Sequence, residues 1–203
     1  MAFPFLTVFI VFVVFLAIRY RTIDKNQKKH IQDYWDRQAS ADRAPNKDLN
    51  TLPYLKFPNR TFPFGSVDDE EIAALEERIQ ELIHHPLLNL NGMDNAALRE
   101  TYGSDNFDFM VNVSDEFDQL QMLLVDYAKA LLEHDHTADA MQVLEVGVKI
   151  GTDVSSNYTL LGDCYKATGQ LEKIPTLKEK LQQLHLLLEP SIVSYLDSLI
   201  EDQ

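Results

Sequence analysis

The stretch "NYTLLGDCYKATGQL", Asn157–Leu171, decides the fold of this 203-residue chain. It holds the only cysteine, Cys164, between an aspartate and a tyrosine, and it can be interpreted as a reactive site or as a packed helix. Large side chains recur in it at helical spacing around the small residue Gly162. A matching pattern stands 34 residues earlier, which favours the packed helix.

Two segments of 34 residues, 121–154 and 155–188, carry similar residues at matching positions. Large side chains occupy the fourth, seventh and eleventh positions, and a small one occupies the eighth. A small residue lets two helices approach closely, and large ones fill the space between them. The predicted packing residues are Leu124, Tyr127, Ala128, Leu131 and Ala140, followed by Tyr158, Leu161, Gly162, Tyr165 and Ile174.

This period and layout resemble the tetratricopeptide repeat, a helix–turn–helix unit. The first half of the motif is matched by Tyr158, Leu161, Gly162, Tyr165, Gly169 and Leu171. The second halves match less well, since Lys178 stands at position twenty-four and Leu186 at a position where proline is common. The resemblance implies antiparallel helix hairpins stacked in an α–α superhelix. The whole chain is also similar to single-pass membrane-anchored proteins of Gram-positive bacteria with such repeats. This similarity does not indicate any particular activity.

The N-terminus predicts a membrane anchor over residues 1–21. Ala2–Ile18 is an uncharged run of 17 residues, close to the lower length for a membrane-spanning helix. A cleaved signal peptide is the alternative, but no basic residue precedes the run, and Arg19 and Arg21 follow it. A retained single-pass anchor is therefore expected.

Basic residues predict the orientation of this anchor. Residues 1–44 carry seven Lys or Arg and four Asp, and the basic residues nearest the span all follow it. Positive charge stays in the cytoplasm, so the N-terminus is expected outside and the C-terminal domain in the cytoplasm. Three glycosylation-type triplets, at Asn59, Asn112 and Asn157, support the opposite orientation.

The rest of the chain predicts an all-α protein in three parts. Residues 22–44 form a helical stalk, and residues 45–65, the strap, are an extended proline-rich segment with interleaved aromatic residues. Residues 66–203 form a helical domain, with repeats at 121–154 and 155–188 and a capping helix over 190–201. Two repeats cannot bury a core alone, so the first helix of this domain and the capping helix must supply further layers.

Local signals set the expected ends of the first helices in that domain. Ser66 is the expected N-cap of the first helix, which ends before Pro86. Asp94 or Asn95 caps a short second helix, and Gly103 ends it. Residues 104–112 are expected to form a connecting loop.

Charge excludes two classes of partner for the helical domain. The chain has a net charge of −14, and the part after residue 44 carries 11 basic and 28 acidic residues. Such a surface repels nucleic acid and anionic lipid, so only the N-terminal helix is expected to meet the membrane. No glycine loop for phosphate is present, and no cofactor or small-molecule substrate is expected.

Three candidate chemical sites have simpler structural explanations. No His stands near Cys164 in sequence to activate it, and a buried thiol behaves as a small apolar group. His134 and His136 lie in a turn, and only the distant His185 or Cys164 could complete a metal site. The acidic run 68–71 fits a helix start. No catalytic or metal-binding residue is therefore expected, and the chain is not predicted to be an enzyme.

A concave face lined by the first helix of each repeat is the expected binding surface. The predicted groove residues are Met122, Val125, Lys129, Leu132, Ser156, Thr159, Asp163 and Lys166. The resemblance places no basic clamp for a terminal carboxylate here, because Val125, Asp126 and Leu160 stand at its positions. Alternatively, these residues pack against the strap.

Three functional hypotheses follow. The first is a membrane-tethered scaffold that binds a protein partner in the cytoplasm. The second is the same fold outside the cytoplasm, in envelope assembly or protein quality control. The third is an enzyme or metal protein that uses His134, His136 or Cys164.

Overall fold

The computed structural model describes residues 4–201, with side chains throughout except at positions 4–7, 17, 18, 21, 22, 24 and 26. Within this range the protein is all-α, as predicted, and contains no strand. The α-helices are α1 (Pro4–Ala41), α2 (Glu70–Leu82), α3 (Asn95–Tyr102), α4 (Phe107–Glu133), α5 (Thr137–Ile150), α6 (Ser155–Ala167), α7 (Ile174–Gln182) and α8 (Glu189–Glu201). Three short 3₁₀ turns lie at Leu49–Thr51, Ser104–Asn106 and Leu171–Lys173.

The chain divides into two compact units. The first comprises Met1–Asp48 and Met93–Asp108, and the second comprises Leu49–Gly92 and Phe109–Gln203. The short helix α3, which the sequence assigns to the helical domain, therefore belongs with α1.

Ion pairs and tight backbone packing hold α3 against α1 in the first unit. Arg37 Nη1 lies 2.9 Å from Asp94 Oδ2, and Arg37 Nε lies 3.3 Å from Glu100 Oε1. The Ala97 backbone N–H, with the Arg37 guanidinium, lowers the pKa of Asp94 below its usual value. Gly103 adopts a positive φ of 91°, and a Cβ there would overlap Asn46, so glycine is required.

Helix α1 is continuous over 38 residues and covers most of the predicted stalk and most of the predicted anchor. Among the residues with described side chains, no helix holds a stretch long and apolar enough to cross a membrane. Residues 2–7, 17 and 18 of the predicted span lie outside that set. The apolar side chains of residues 8–16 are all exposed, with 46–67% of their surface accessible.

The second unit has one apolar core, formed by α2, α4, α5, α6, α7 and α8. All ten predicted packing residues are buried. Helices α5 and α6 are in close contact at Gly147, where a Cβ would overlap the side chain of Asn157. The amide of Asn157 fills this space and donates to Leu144 O at 3.0 Å.

Helix starts differ from the expected ones in two places. Asp69, not Ser66, caps α2, because its Oδ1 accepts from Glu71 N at 2.9 Å and Ile72 N at 3.1 Å. Asp94 caps α3 and Gly103 ends it, as predicted. The expected loop at 104–112 is wrong, since α4 already begins at Phe107.

Candidate functional site

The α4 half of the predicted groove is only partly on the surface. Met122 is 54% exposed and Lys129 is exposed, whereas Val125 is buried to 1% exposure. Leu132 is half-buried and packs against the apolar core. Val125 is therefore unavailable to a partner, and Met122 is the main apolar group that this half presents.

The α6 half of the predicted groove lies beside α8. Asp163 is exposed and accepts a hydrogen bond from Tyr195 Oη of α8 at 2.6 Å, and this bond, with partial burial, raises the pKa of Tyr195 to about 12. Ser156 and Thr159 are half-buried, and Lys166 is exposed. Because Asp163 already has a partner, α8 uses part of the surface that the repeat register assigns to ligand binding.

A better-formed groove lies between α5 and α7, and all three helices α5, α6 and α7 contribute to its floor. Its volume is about 560 Å³, within the range of ligand-sized clefts in proteins. The floor is apolar and includes Val146, Leu161 and Leu177. The rim is polar and includes Glu145, Lys149, Lys173, Thr176 and Lys180.

The α5 and α7 sides of this groove run in the same direction. Met141 Sδ, at the start of α5, accepts a hydrogen bond from Gln170 Nε2 at 3.5 Å. One turn further along α5, Glu145 Oε1 forms an ion pair with Lys173 Nζ at 3.1 Å. Lys149 and Lys180 stand further along the two helices. The two lysines therefore share one end of the groove, and the glutamate lies toward the other end.

Glu145 is the most strongly paired group of the groove. Its Oε1 accepts from Tyr165 Oη at 3.0 Å and from Lys173 Nζ at 3.1 Å, and this ammonium lies 5.2 Å from the centre of the Tyr165 ring. Burial, followed by the charge of Glu145, raises the pKa of Tyr165 well above its usual value. In contrast, Lys149 and Lys180 are exposed and form no ion pair with any side chain that the structure describes.

Sequence reasoning missed this groove because the repeat register directs attention to the first helix of each hairpin. A compositional signal was nevertheless present. Five of the 11 basic residues after position 44 fall between Lys149 and Lys180. That segment contains four acidic residues and is therefore slightly positive within a strongly acidic domain.

The C-terminal part of the strap contacts α2 and α4 through aromatic rings and hydrogen bonds. Phe57, Phe62 and Phe64 form a chain of rings, and Phe64 continues it to Tyr127 of α4 with 6.1 Å between ring centres. The carboxylate of Glu76 accepts from Gly65 N at 2.9 Å and from Tyr127 Oη at 2.8 Å. These contacts fix the C-terminal end of the strap on α2 and α4.

The groups considered for chemistry are a buried thiol and two histidines that lie close to carboxylates. Cys164 is buried, and burial, with the nearby charge of Asp163, raises the pKa of its thiol to about 11. His136 Nδ1 lies 2.9 Å from Asp139 Oδ2, and His134 Nε2 lies 3.7 Å from Asp69 Oδ2. Across the described residues, no three His, Cys, Asp or Glu side chains form a group that could hold a metal ion.

Comparisons with family models, with curated proteins and with solved structures found no match to this chain.

Proposed function

We propose that this protein is a membrane-tethered helical-repeat adaptor that binds a protein partner and catalyses no reaction. The α5–α7 groove is the observation that carries this proposal. Its apolar floor and charged rim are the features of a recognition surface, because apolar contact supplies affinity and polar groups supply orientation. The high thiol pKa and the burial of Cys164 argue against the enzyme alternative.

Assignment to the tetratricopeptide-like group belongs to this proposal. It is supported by the burial of all ten residues that align at a spacing of 34. It is also supported by the order of the helices, since α4–α5 and α6–α7 correspond to two consecutive hairpins, with α8 after them. Stacked hairpins of this kind commonly serve as binding surfaces.

Membrane attachment through α1 is the second part of the proposal. Nine consecutive apolar residues, 8–16, are exposed, and an exposed apolar surface of this kind marks an interaction with lipid or protein. The basic residues after them favour a cytoplasmic helical domain. Asn157 is buried, so one of the three triplets that favour the opposite orientation cannot be modified in the folded protein.

Site-specific crosslinking in membranes tests the proposal. A photoreactive amino acid would replace Thr176, an exposed residue of the α5–α7 groove, and in a matched control it would replace the exposed Ala74 of α2. We expect one discrete protein adduct from position 176, none from position 74, and the chain itself in the membrane fraction after an alkaline wash. Equal adducts at both positions, or release of the chain by the wash, would contradict the proposal.

A further inference from the structure

We propose that the α5–α7 groove binds an extended acidic segment of a protein partner, with carboxylates against Lys149 and Lys180 and an apolar side chain on the floor. The inference rests on the proposed adaptor function and adds the chemistry of the partner. It commits to a short peptide segment rather than to nucleic acid or lipid, because two exposed lysines within an acidic domain can pair with two carboxylates but form no extended basic surface for a run of phosphates.

Charge complementarity supports the choice of an acidic segment. Most of the surface after residue 44 repels an acidic partner, since acidic residues outnumber basic ones by 28 to 11. Lys149 and Lys180 are exceptions, because both line one groove and neither has an ion-pair partner in the described chain. Two unpaired ammonium groups at one end attract carboxylates there and set the docking position of an acidic segment.

The opposite end of the groove sets the direction of the bound segment. Glu145 and Glu172 lie toward that end, where Lys173 already neutralises Glu145 at 3.1 Å. A further carboxylate on this side would be repelled by Glu172, which has no ion-pair partner in the described chain. The segment therefore places its acidic residues at the lysine end and neutral or basic residues at the glutamate end.

The floor of the groove is apolar but exposes little surface. Leu161, Leu177 and Val146 line the groove, although each retains 9% or less of its accessible surface. A volume of about 560 Å³ accommodates several side chains of a peptide. Because the floor exposes little apolar surface, an apolar side chain there supplies a small part of the affinity, and the carboxylates supply the rest.

Lys149 and Lys180 also lie in the last turns of α5 and α7, where cations interact favourably with the helix dipole. That role alone predicts an effect of their replacement on stability and none on peptide binding. The experiment therefore measures both quantities.

Peptide selection with the full chain in lipid nanodiscs tests the inference. A phage-displayed library of random peptides would be panned on the protein, and the selected peptides would be synthesised and their affinities measured by fluorescence anisotropy. We expect sequences that combine two or more Asp or Glu with a nearby Leu, Ile or Phe, and affinities that fall as salt rises.

Two charge-matched variants locate the binding site. The double variant Lys149→Glu with Lys180→Glu should weaken binding of a selected peptide at least tenfold. The control, Lys129→Glu with Lys166→Glu, makes the same charge change on the groove predicted from sequence and should alter affinity less than twofold. Circular dichroism and thermal unfolding would confirm that both variants fold.

Three outcomes of these experiments would overturn the inference. Selection of neutral or basic peptides, selection of none, or equal loss of binding in the two double variants would show that the lysine end does not recognise an acidic segment. The partner adduct at position 176 is a separate readout. If it persists in the Lys149→Glu, Lys180→Glu variant, the inference fails while the adaptor function stands.

Discussion

At the level of single residues, Gly162 shows how a repeat pattern can identify a packed position but not its neighbour. The repeat alignment predicts that Gly162 allows close approach of the two helices within a hairpin. Instead, a Cβ on Gly162 would lie 2.5 Å from Leu196 Cδ2 and 2.9 Å from Leu199 Cδ1, both on α8. The close neighbour of Gly162 is therefore the C-terminal helix.

Gly162→Leu should destabilise the protein through this contact. A larger side chain would force Leu196 and Leu199 out of the core, and overpacking of this kind costs roughly 1–3 kcal/mol or more. The measurement is the free energy of unfolding from urea titration, and Ala167→Leu on the exposed surface of α6 is the control. An equal free energy of unfolding for both variants would contradict the packing described here.

Residue patterns predicted burial well and specific partners poorly. The spacing of large and small residues identified ten buried positions, because burial of a helix face follows from its period. Capping was less predictable, since Ser66 and Asp69 are both good N-caps and the choice depends on where the chain enters the helix. In the structure Gly65 N donates to the carboxylate of Glu76 in α2, a contact between residues eleven apart that no local capping pattern contains.

At the level of elements, the strap is an ordered part of the second unit between Leu55 and Gly65. Leu55 N donates to Leu87 O at 2.8 Å, and Gln142 Nε2 of α5 donates to Thr61 O at 3.0 Å. Glu76 fixes the end of the segment through the carboxylate bonds to Gly65 N and Tyr127 Oη. Glu76 is buried, so its carboxylate depends on these donors to remain stable in the core.

Glu76→Ala should destabilise the protein and release the strap. Hydrogen bonds to a charged group contribute about 1.5–3 kcal/mol each, and the variant also leaves the Tyr127 hydroxyl without this acceptor. We expect a loss of roughly 2–4 kcal/mol in the free energy of unfolding, together with faster proteolysis between residues 56 and 65. Glu77→Ala, at the exposed neighbouring position, should leave both measurements unchanged.

The sequence predicted the number and order of most elements, but not the start of α4 or the site. The segment at 104–112 contains Ser, Asp and Asn, which favour turns when considered alone. In the structure, only Ser104–Asn106 forms a 3₁₀ turn before α4 begins. The α5–α7 groove depends on how two helices from different hairpins lie together, and that information is absent from the pattern of either helix.

At the level of the whole molecule, the burial of several tyrosines predicts that the protein becomes less stable at alkaline pH. Burial is the main cause that raises the pKa values of Tyr127, Tyr158 and Tyr165 well above 10. In the unfolded chain these phenols ionise near pH 10, while in the folded protein they remain neutral. The unfolded state therefore loses protons first, and the free energy of unfolding falls as pH rises above 10.

Urea titrations at a series of alkaline pH values would measure this slope. Tyr158→Phe should reduce the slope by about 1.4 kcal/mol per pH unit above pH 10, because one proton fewer is released on unfolding. Tyr34→Phe, which replaces an exposed phenol, is the matched control. The same slope in both variants would show that Tyr158 ionises alike in the folded and unfolded states.

The only tryptophan of the chain has a consequence for how unfolding can be followed. Trp35 lies on α1, is 61% exposed and meets Tyr34 edge-on with 5.3 Å between ring centres. Its fluorescence emission is therefore already that of a solvated indole and reports on the first unit. Melting of the second unit must be followed through its buried tyrosines or its helical circular dichroism. Conversely, a blue shift of the emission would signal that lipid or protein has covered this part of α1.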